Sequence, residues 1–187
     1  MSKKLLFGNE TERMPNIAFR MMALIFKIRE FFINPERTLG EFDIKKGQIV
    51  IDYGCGPGLH IKKASQMVGS EGKILAVDVH DLAIKAVNKK IKKEHLTNVE
   101  GIVTNGHDST INNDTADIIY ALDMFHMIKE TQSFLKELCR IIKKDGFLFI
   151  EDGHQTREKA KIKITSSGFW KIVLENKNHI KCVPIKG

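Results

Sequence analysis

Three glycines and two carboxylates are the residues of this chain whose spacing first suggests chemistry. Gly54, Gly56 and Gly58 alternate with Cys55 and Pro57 directly after Asp52-Tyr53, and a second acid, Asp78, lies 20 residues beyond Gly58. Glycines in such a run let the backbone turn sharply and let a ligand come close to it, and the first turn of a following helix leaves amide groups without partners. A dinucleotide fingerprint needs Gly-x-Gly-x-x-Gly, whereas this loop reads Gly-x-Gly-x-Gly with an acid in front of it. An acid before the loop suits a cationic amino-acid tail. An acid at the end of the next strand can accept from both hydroxyls of a ribose.

The elements that must hold these residues follow from apolar patterning. Ile49 to Asp52, Lys73 to Asp78, Val99 to Thr104, Ala116 to Leu122 and Gly146 to Asp152 are short apolar runs between polar or glycine punctuation, as expected of strands buried on both faces. Between them Leu59 to Val68, Leu82 to His95 and Glu130 to Lys143 carry apolar residues at helical spacing. This alternation predicts an α/β doubly wound sheet. A helix over Thr156 to Ser166 then leads into Phe169 to Glu175 and His179 to Ile185, two strands joined by so short a link that they must run antiparallel.

The N-terminal part differs in style. Ile17 to Phe32 is apolar almost all round, so it is expected to bury more than one face, and a short helix is expected from the cap Asn34 and from Pro35. We expect one domain over residues 1–187, with a helical cap over 1–45 and the α/β core over 46–187. The apolar helix is expected to act as a lid, lining a hydrophobic pocket with Phe19, Met22 and Phe26, the alternative being a helix packed permanently on the core.

Composition narrows the setting. The 187 residues carry 30 basic and 23 acidic side chains, a net charge of +7. Most of that surplus lies after residue 154, where eight basic residues face two acidic ones. A solvated edge is the default reading of that stretch, with an anionic membrane or acidic partner surface as the alternative. Cys55, Cys139 and Cys182 are odd in number, widely spaced and form no Cys-x-x-Cys pair, which argues for free thiols in a reducing compartment. No signal-peptide core or bilayer-spanning stretch is recognisable, so a cytoplasmic protein is expected.

In Asp52-Tyr53-Gly54-Cys55-Gly56-Pro57-Gly58, Ala76-Val77-Asp78 and Asp117-Ile118-Ile119-Tyr120 the chain resembles the class I S-adenosylmethionine-dependent methyltransferases. Within them it is most similar to the ubiquinone/menaquinone-biosynthesis methyltransferase-like group, as Leu135 to Asp152 also suggests. The resemblance covers about Gln48 to Asp152. It implies a Rossmann-like, mostly parallel sheet with a C-terminal antiparallel hairpin, and S-adenosylmethionine as cofactor. By that resemblance Asp52, Tyr53 and the backbone from Gly54 through Cys55 and Gly56 to Gly58 hold the methionine part. Asp78 binds the ribose, and Val79 packs on the adenine. The family's adenine-binding Asp is replaced here by Asn105, followed by Gly106 and Asp108, so either Asn105 or Asp108 is expected to contact the amino group. Ala121 and Leu122 are expected beside the sulfonium.

Methyl transfer from a sulfonium disperses charge, so alignment and water exclusion dominate. A base is needed only where the nucleophile carries a proton. Asp123 and His126 after the fourth strand, and Asp152 and His154 after the fifth, are the candidates, His126 first because imidazole titrates near neutrality. Cys55 has no evident base beside it and is expected to be structural. His60, His80 and His107 lack metal-ligand spacing, so no metal site is expected. The fourth strand ends in Ala121-Leu122-Asp123 rather than an Asn/Asp-Pro-Pro-aromatic motif, which disfavours a nucleic-acid acceptor. A small apolar acceptor is the leading expectation. The alternatives are a non-catalytic cofactor-binding or regulatory protein, or a nucleic-acid or protein acceptor.

Overall fold

The computed structural model describes residues 13–29, 35–106 and 108–186, with the side chains of 26–29 excepted. Seven strands form one sheet in the order β3-β2-β1-β4-β5-β7-β6. These are β1 (Ile49–Tyr53), β2 (Lys73–Asp78), β3 (Val99–Val103), β4 (Ala116–Ala121), β5 (Ile142–Glu151), β6 (Trp170–Glu175) and β7 (His179–Pro184). The first five are mutually parallel, and β7 enters antiparallel between β5 and β6. The expected mostly parallel sheet with a C-terminal hairpin is therefore what the chain builds. Its connections reverse direction between β1 and β4, the place where α/β sheets open a crevice for ligands.

Period-two alternation divides the core. On one face Ile51, Ile119, Ala121 and Ile150 pack with Phe134 and Leu138 of α5 (Thr131–Ile141) and with Ile164 of α6 (Arg157–Ser166). On the other, Val50, Ile118, Tyr120 and Phe149 meet Leu39 of α2 (Pro35–Gly40) and Ala64 and Val68 of α3 (Ile61–Val68). The same side continues through Ala76, Ile84 and Val87 toward α4 (Asp81–Glu94). Burial on both faces explains why these strands read as continuous apolar runs.

Among the described residues, the boundary between α5 and β5 departs furthest from expectation. The helix expected to reach Lys143 stops at Ile141, and β5 begins at Ile142 rather than Gly146. Ile142 already pairs with Ala116, and Lys143 Nζ donates to Asp117 Oδ1 at 2.6 Å while Asp117 Oδ2 accepts from the Ile49 amide. Pairing thus takes residues whose local pattern was helical. The described part of the N-terminal helix, α1 (Asn16–Arg29), covers the expected Ile17 to Phe32 stretch up to Arg29; the rest of that stretch and the expected cap Asn34 lie outside the described residues. Among its described side chains one face is buried: Phe19 is 4% exposed and Met22 half-buried, whereas Ile17, Met21, Leu24 and Ile25 are exposed.

The basic C-terminal stretch is largely engaged within the fold. Arg157 pairs with Asp152, Lys161 with Glu175 at 2.9 Å and Lys186 with Asp114, while Lys181 Nζ sits 3.6 Å from the Phe147 ring centroid. Among the described residues, no helix is long and apolar enough to cross a membrane.

The segment between β3 and β4 is held by one carboxylate. Buried Glu137 accepts from the amide and hydroxyl of Ser109, at 2.9 and 2.6 Å, and from Arg140 at 2.7 Å. Hydrogen bonds to a charged group contribute about 1.5–3 kcal/mol each, and burying their unpaired partners adds cost. Glu137→Ala should therefore lower unfolding stability by about 2–3 kcal/mol in urea titration. A surface-like loss below about 0.5 kcal/mol would contradict this role.

Candidate functional site

A cavity of about 590 Å3 opens where β1, β2, β4 and β5 end, over the reversal of the sheet. That is a usual size for a small-molecule site, roughly 300–1,000 Å3. The glycine loop forms its floor. Gly54, Gly56 and Gly58 take φ values of 81°, 52° and 80°, a region that side chains disfavour. The amides of Gly54 and Cys55 both donate to Val77 O, at 2.8 and 3.0 Å, folding the loop over the end of β2. A Cβ added to Gly56 would meet no atom within 4 Å, so the loop backbone is open to a ligand there.

At one end of the cavity stands Asp52, 3% exposed, at the tip of β1. Burial pushes its pKa up to about 7, against the hydroxyl of its cross-strand neighbour Tyr120, which lowers it, and the charge of Asp78, which raises it. Neither Asp52 Oδ2 nor Tyr120 Oη makes a well-formed hydrogen bond among the described residues. A buried carboxylate oxygen without a partner is costly unless something cationic or protic meets it. His60, on the same wall, is held neutral: burial, and secondarily the Lys90 charge, lower its pKa to about 4.

In the next part of the cavity Asp78 ties the loop down. Its Oδ2 accepts from the Gly56 amide and its Oδ1 from the His80 amide, both at 2.8 Å. Burial raises its pKa, while these amides work in the opposite direction. Each oxygen keeps a lone pair for a ligand hydroxyl. Beyond it His80 Nδ1 accepts from the Leu82 amide and caps α4, and the His80 ring stacks on Phe19 at 4.2 Å. Arg13 pairs with Asp81 next to it. Helix α1 is thereby fastened over this end, with Met14, Phe19 and Met22 on the cavity wall. Tyr53 closes the side, donating to Gly106 O at 3.2 Å.

The third region gathers ionisable groups. Asp123, Glu151, Asp152 and His154 line it, with Lys177 and Asn178 reaching in from the β6–β7 turn and Leu122, Met124 and Met127 supplying apolar wall. Asp123 sits at φ 51°, a left-handed conformation unusual for a residue with a side chain, and its amide donates to Glu151 Oε2 at 3.1 Å. His154 Nε2 stands 4.0 Å from Asp123 Oδ1.

Most of the residues expected from the sequence meet here. Asp52, Tyr53, Gly54, Cys55 and Gly56 are on the wall, as are Asp78, Val79, Gly106 and Leu122, and so are Asp123 and His154. Gly58, Ala121, Asn105 and Asp108 are not. Asn105 and Asp108 are exposed, while Gly106 between them turns inward at φ 105°. His126 also lies off the wall: its ring fills the space beside Gly153, where an added Cβ would collide with Nδ1, and it meets His154 edge-on at 4.9 Å. Burial lowers its pKa, with Asp123 opposing and His154 and Lys163 adding. Phe26 lies outside the described side chains.

Sequence reasoning missed Glu151, Gly153, His60, His80, Lys177 and Asn178. Glu151 and Gly153 flank the nominated Asp152 and were within reach. Lys177 and Asn178 come from a turn no local signal connects to the glycine loop. Cys55 is buried and its thiol faces Gly56 O, with its pKa raised by burial first and then by Asp52 and Asp78, as befits a structural thiol. Among the described residues, no cluster of metal-ligating side chains occurs.

A doubly wound sheet whose crevice joins a glycine loop, a buried acid before it and a second acid after it defines a nucleoside-cofactor-binding α/β domain. The chain belongs to the methyltransferase-domain family, whose model matches residues 44–181. It is 28% identical over 108 residues to the ubiquinone/menaquinone biosynthesis C-methyltransferase UbiE of Salmonella arizonae, covering 57% of this chain and 43% of that protein. The chain thus matches less than half the length of such curated relatives. An S-adenosylmethionine-dependent methyltransferase from Aquifex aeolicus superposes with a TM-score of 0.73 at 26% identity, over 88% of this chain and 96% of that one. A TehB-like methyltransferase from Corynebacterium glutamicum, 15% identical, shares the fold at a TM-score of 0.70 over 91% and 99% of the two chains.

The cavity fits S-adenosylmethionine on its own features. The orphaned Asp52 oxygen suits the ammonium group, the open backbone at Gly56 suits the close approach of the amino-acid tail, and Asp78 suits the ribose. Because the ammonium needs an ionised Asp52, affinity for S-adenosylhomocysteine should fall by up to about tenfold for each pH unit below 7 and level off above it. Calorimetry across pH 5.5–8.5 measures this. Asp52→Asn should bind weakly with a flat profile, and an equally steep profile in that variant would remove Asp52 from the site.

Proposed function

We propose that this chain is an S-adenosylmethionine-dependent methyltransferase acting on a small organic acceptor that has an apolar body and a protic nucleophile. The observation that carries this reading is the arrangement of the third region: Asp123 and His154 stand together on the wall beyond the cofactor cradle, between the polar Glu151, Asp152, Lys177 and Asn178 and the apolar Leu122, Met124 and Met127. A protein that only bound the cofactor would have no use for paired titratable groups there.

The bound cofactor supplies a sulfonium methyl group open to in-line displacement. Asp52 would hold its ammonium end and Asp78 its ribose, with Val79 and the Phe19–His80 pair available to the base. Gly106, which lines the cavity where Asn105 and Asp108 do not, would face the nucleoside side. Leu122, Met124 and the lid residues Met14 and Met22 exclude water. His154 takes the acceptor's proton, with Asp123 Oδ1 standing 4.0 Å from its Nε2. His126 acts as a positioning residue: packed against Gly153, it fixes the turn that presents His154. Its lowered pKa suits a packed neutral ring.

The name of the Salmonella relatives, a C-methyltransferase of quinone biosynthesis, supports a small organic acceptor and favours carbon as the methylated atom. The buried free thiols of Cys55, Cys139 and Cys182 support a cytoplasmic setting.

Methyl-labelled S-adenosylmethionine incubated with a small-molecule cell extract should yield a labelled product extractable into organic solvent. His154→Ala and Asp123→Asn should each lower that transfer by about 10²–10⁴-fold, the span of general acid–base contributions. Their affinity for S-adenosylhomocysteine should stay within a few-fold of the parent. Label found only in protein or nucleic acid would overturn the small-acceptor reading. Gly153→Ala should reduce transfer as well, since its Cβ displaces His126.

A further inference from the structure

Helix α1 has two apolar faces, and the fold uses one. Phe19 and Met22 close the cavity. On the opposite side Ile17, Met21, Leu24 and Ile25, spaced i, i+4, i+7 and i+8, form a continuous stripe in which each side chain is 54–64% exposed. Four large aliphatic side chains side by side on one exposed helix face need a partner, unlike singly scattered surface apolar residues.

The charge of the helix says which partner. Its sequence contains Arg20, Lys27 and Arg29 and no acidic residue. Two copies packed through this stripe would bring like charges together. They would also bury only about 400 Å2 on each side, roughly half the share of a standard stable interface. An apolar stripe on a helix with only cationic charges is instead complementary to an anionic lipid surface, into which such helices sink their apolar face while basic groups meet the headgroups.

We propose that α1 lies in the plane of an anionic lipid surface through Ile17, Met21, Leu24 and Ile25. The helix would then carry two functions on two faces, closing the cofactor cavity with one and seating the enzyme on lipid with the other. The cavity mouth beside Met14 and Met22 would consequently open near the headgroup layer. In the C-terminal basic stretch, by comparison, four of the eight cations, Arg157, Lys161, Lys181 and Lys186, make contacts within the fold.

The test is flotation of the full chain with vesicles of phosphatidylcholine alone and with phosphatidylglycerol added at about one part in three. The parent should float with the anionic vesicles and about tenfold less with the neutral ones. Met21→Asp combined with Leu24→Asp should cut anionic-vesicle binding at least tenfold while leaving the thermal midpoint unchanged. A second variant guards against misfolding of the first: Leu24→Trp should shift its emission to the blue and be quenched by doxyl-labelled lipid when anionic vesicles are added. Absence of parent binding, or binding untouched by the double variant, would overturn the proposal. So would a dimer that dissociates in the double variant, since the stripe would then be a self-interface.

Discussion

The Asp78 carboxylate is the point on which the site turns. Its two oxygens draw in amides from opposite directions, Gly56 from the glycine loop and His80 from the entrance to α4. One side chain therefore sets the distance between the loop that would meet an amino-acid tail and the helix start that would flank a base. The amides of Gly54 and Cys55 on Val77 O add a backbone tether at the same strand end. With the loop anchored in this way, Asp52 is left buried at the neighbouring strand tip, beside the Tyr120 hydroxyl that lowers its pKa. A carboxylate buried in this way is costly to ionise unless a cationic or protic group meets it.

The wall beyond the glycine loop is built differently. Asp123 occupies a left-handed backbone position, and the amide exposed by that turn is taken up by Glu151 at the end of the adjacent strand. The turn after β5 is shaped by a second close fit, the His126 ring against Gly153. Two neighbouring strand ends thus brace one another through a carboxylate and an imidazole, and the groups they present, Asp123 and His154, come into range without belonging to the same element. Such bracing gives the precision that alignment-dominated chemistry requires.

Much of this was visible beforehand because it depends on short-range patterning. Continuous apolar runs announced the buried parallel strands, and alternating glycines between a strand and a helix announced the cradle. The two acids fell where strand ends had to be. Where the reading slipped, pairing between distant segments had overruled local preference: Ile142 and Lys143 look helical in sequence but are drawn into β5 by Ala116 and Asp117. His126 was the first candidate base because residue type and neighbourhood are readable, with a packing role as the alternative. The packing of its ring against Gly153 depends on a partner 27 positions away.

The amino-acid sequence by itself determined the strand and helix order, the antiparallel hairpin, the glycine cradle and the two acids that flank it, since each of these rests on periodicity or on the conformational demands of a few consecutive residues. Only the tertiary structure decided that Glu151 steadies Asp123, that Lys177 and Asn178 reach the cavity wall, that Arg157, Lys161, Lys181 and Lys186 are engaged within the fold, and that α1 turns Phe19 and Met22 to the cavity and leaves Ile17, Met21, Leu24 and Ile25 exposed. Those outcomes depend on which surfaces meet when the sheet closes, and contact between segments far apart in the chain has no local periodicity to announce it.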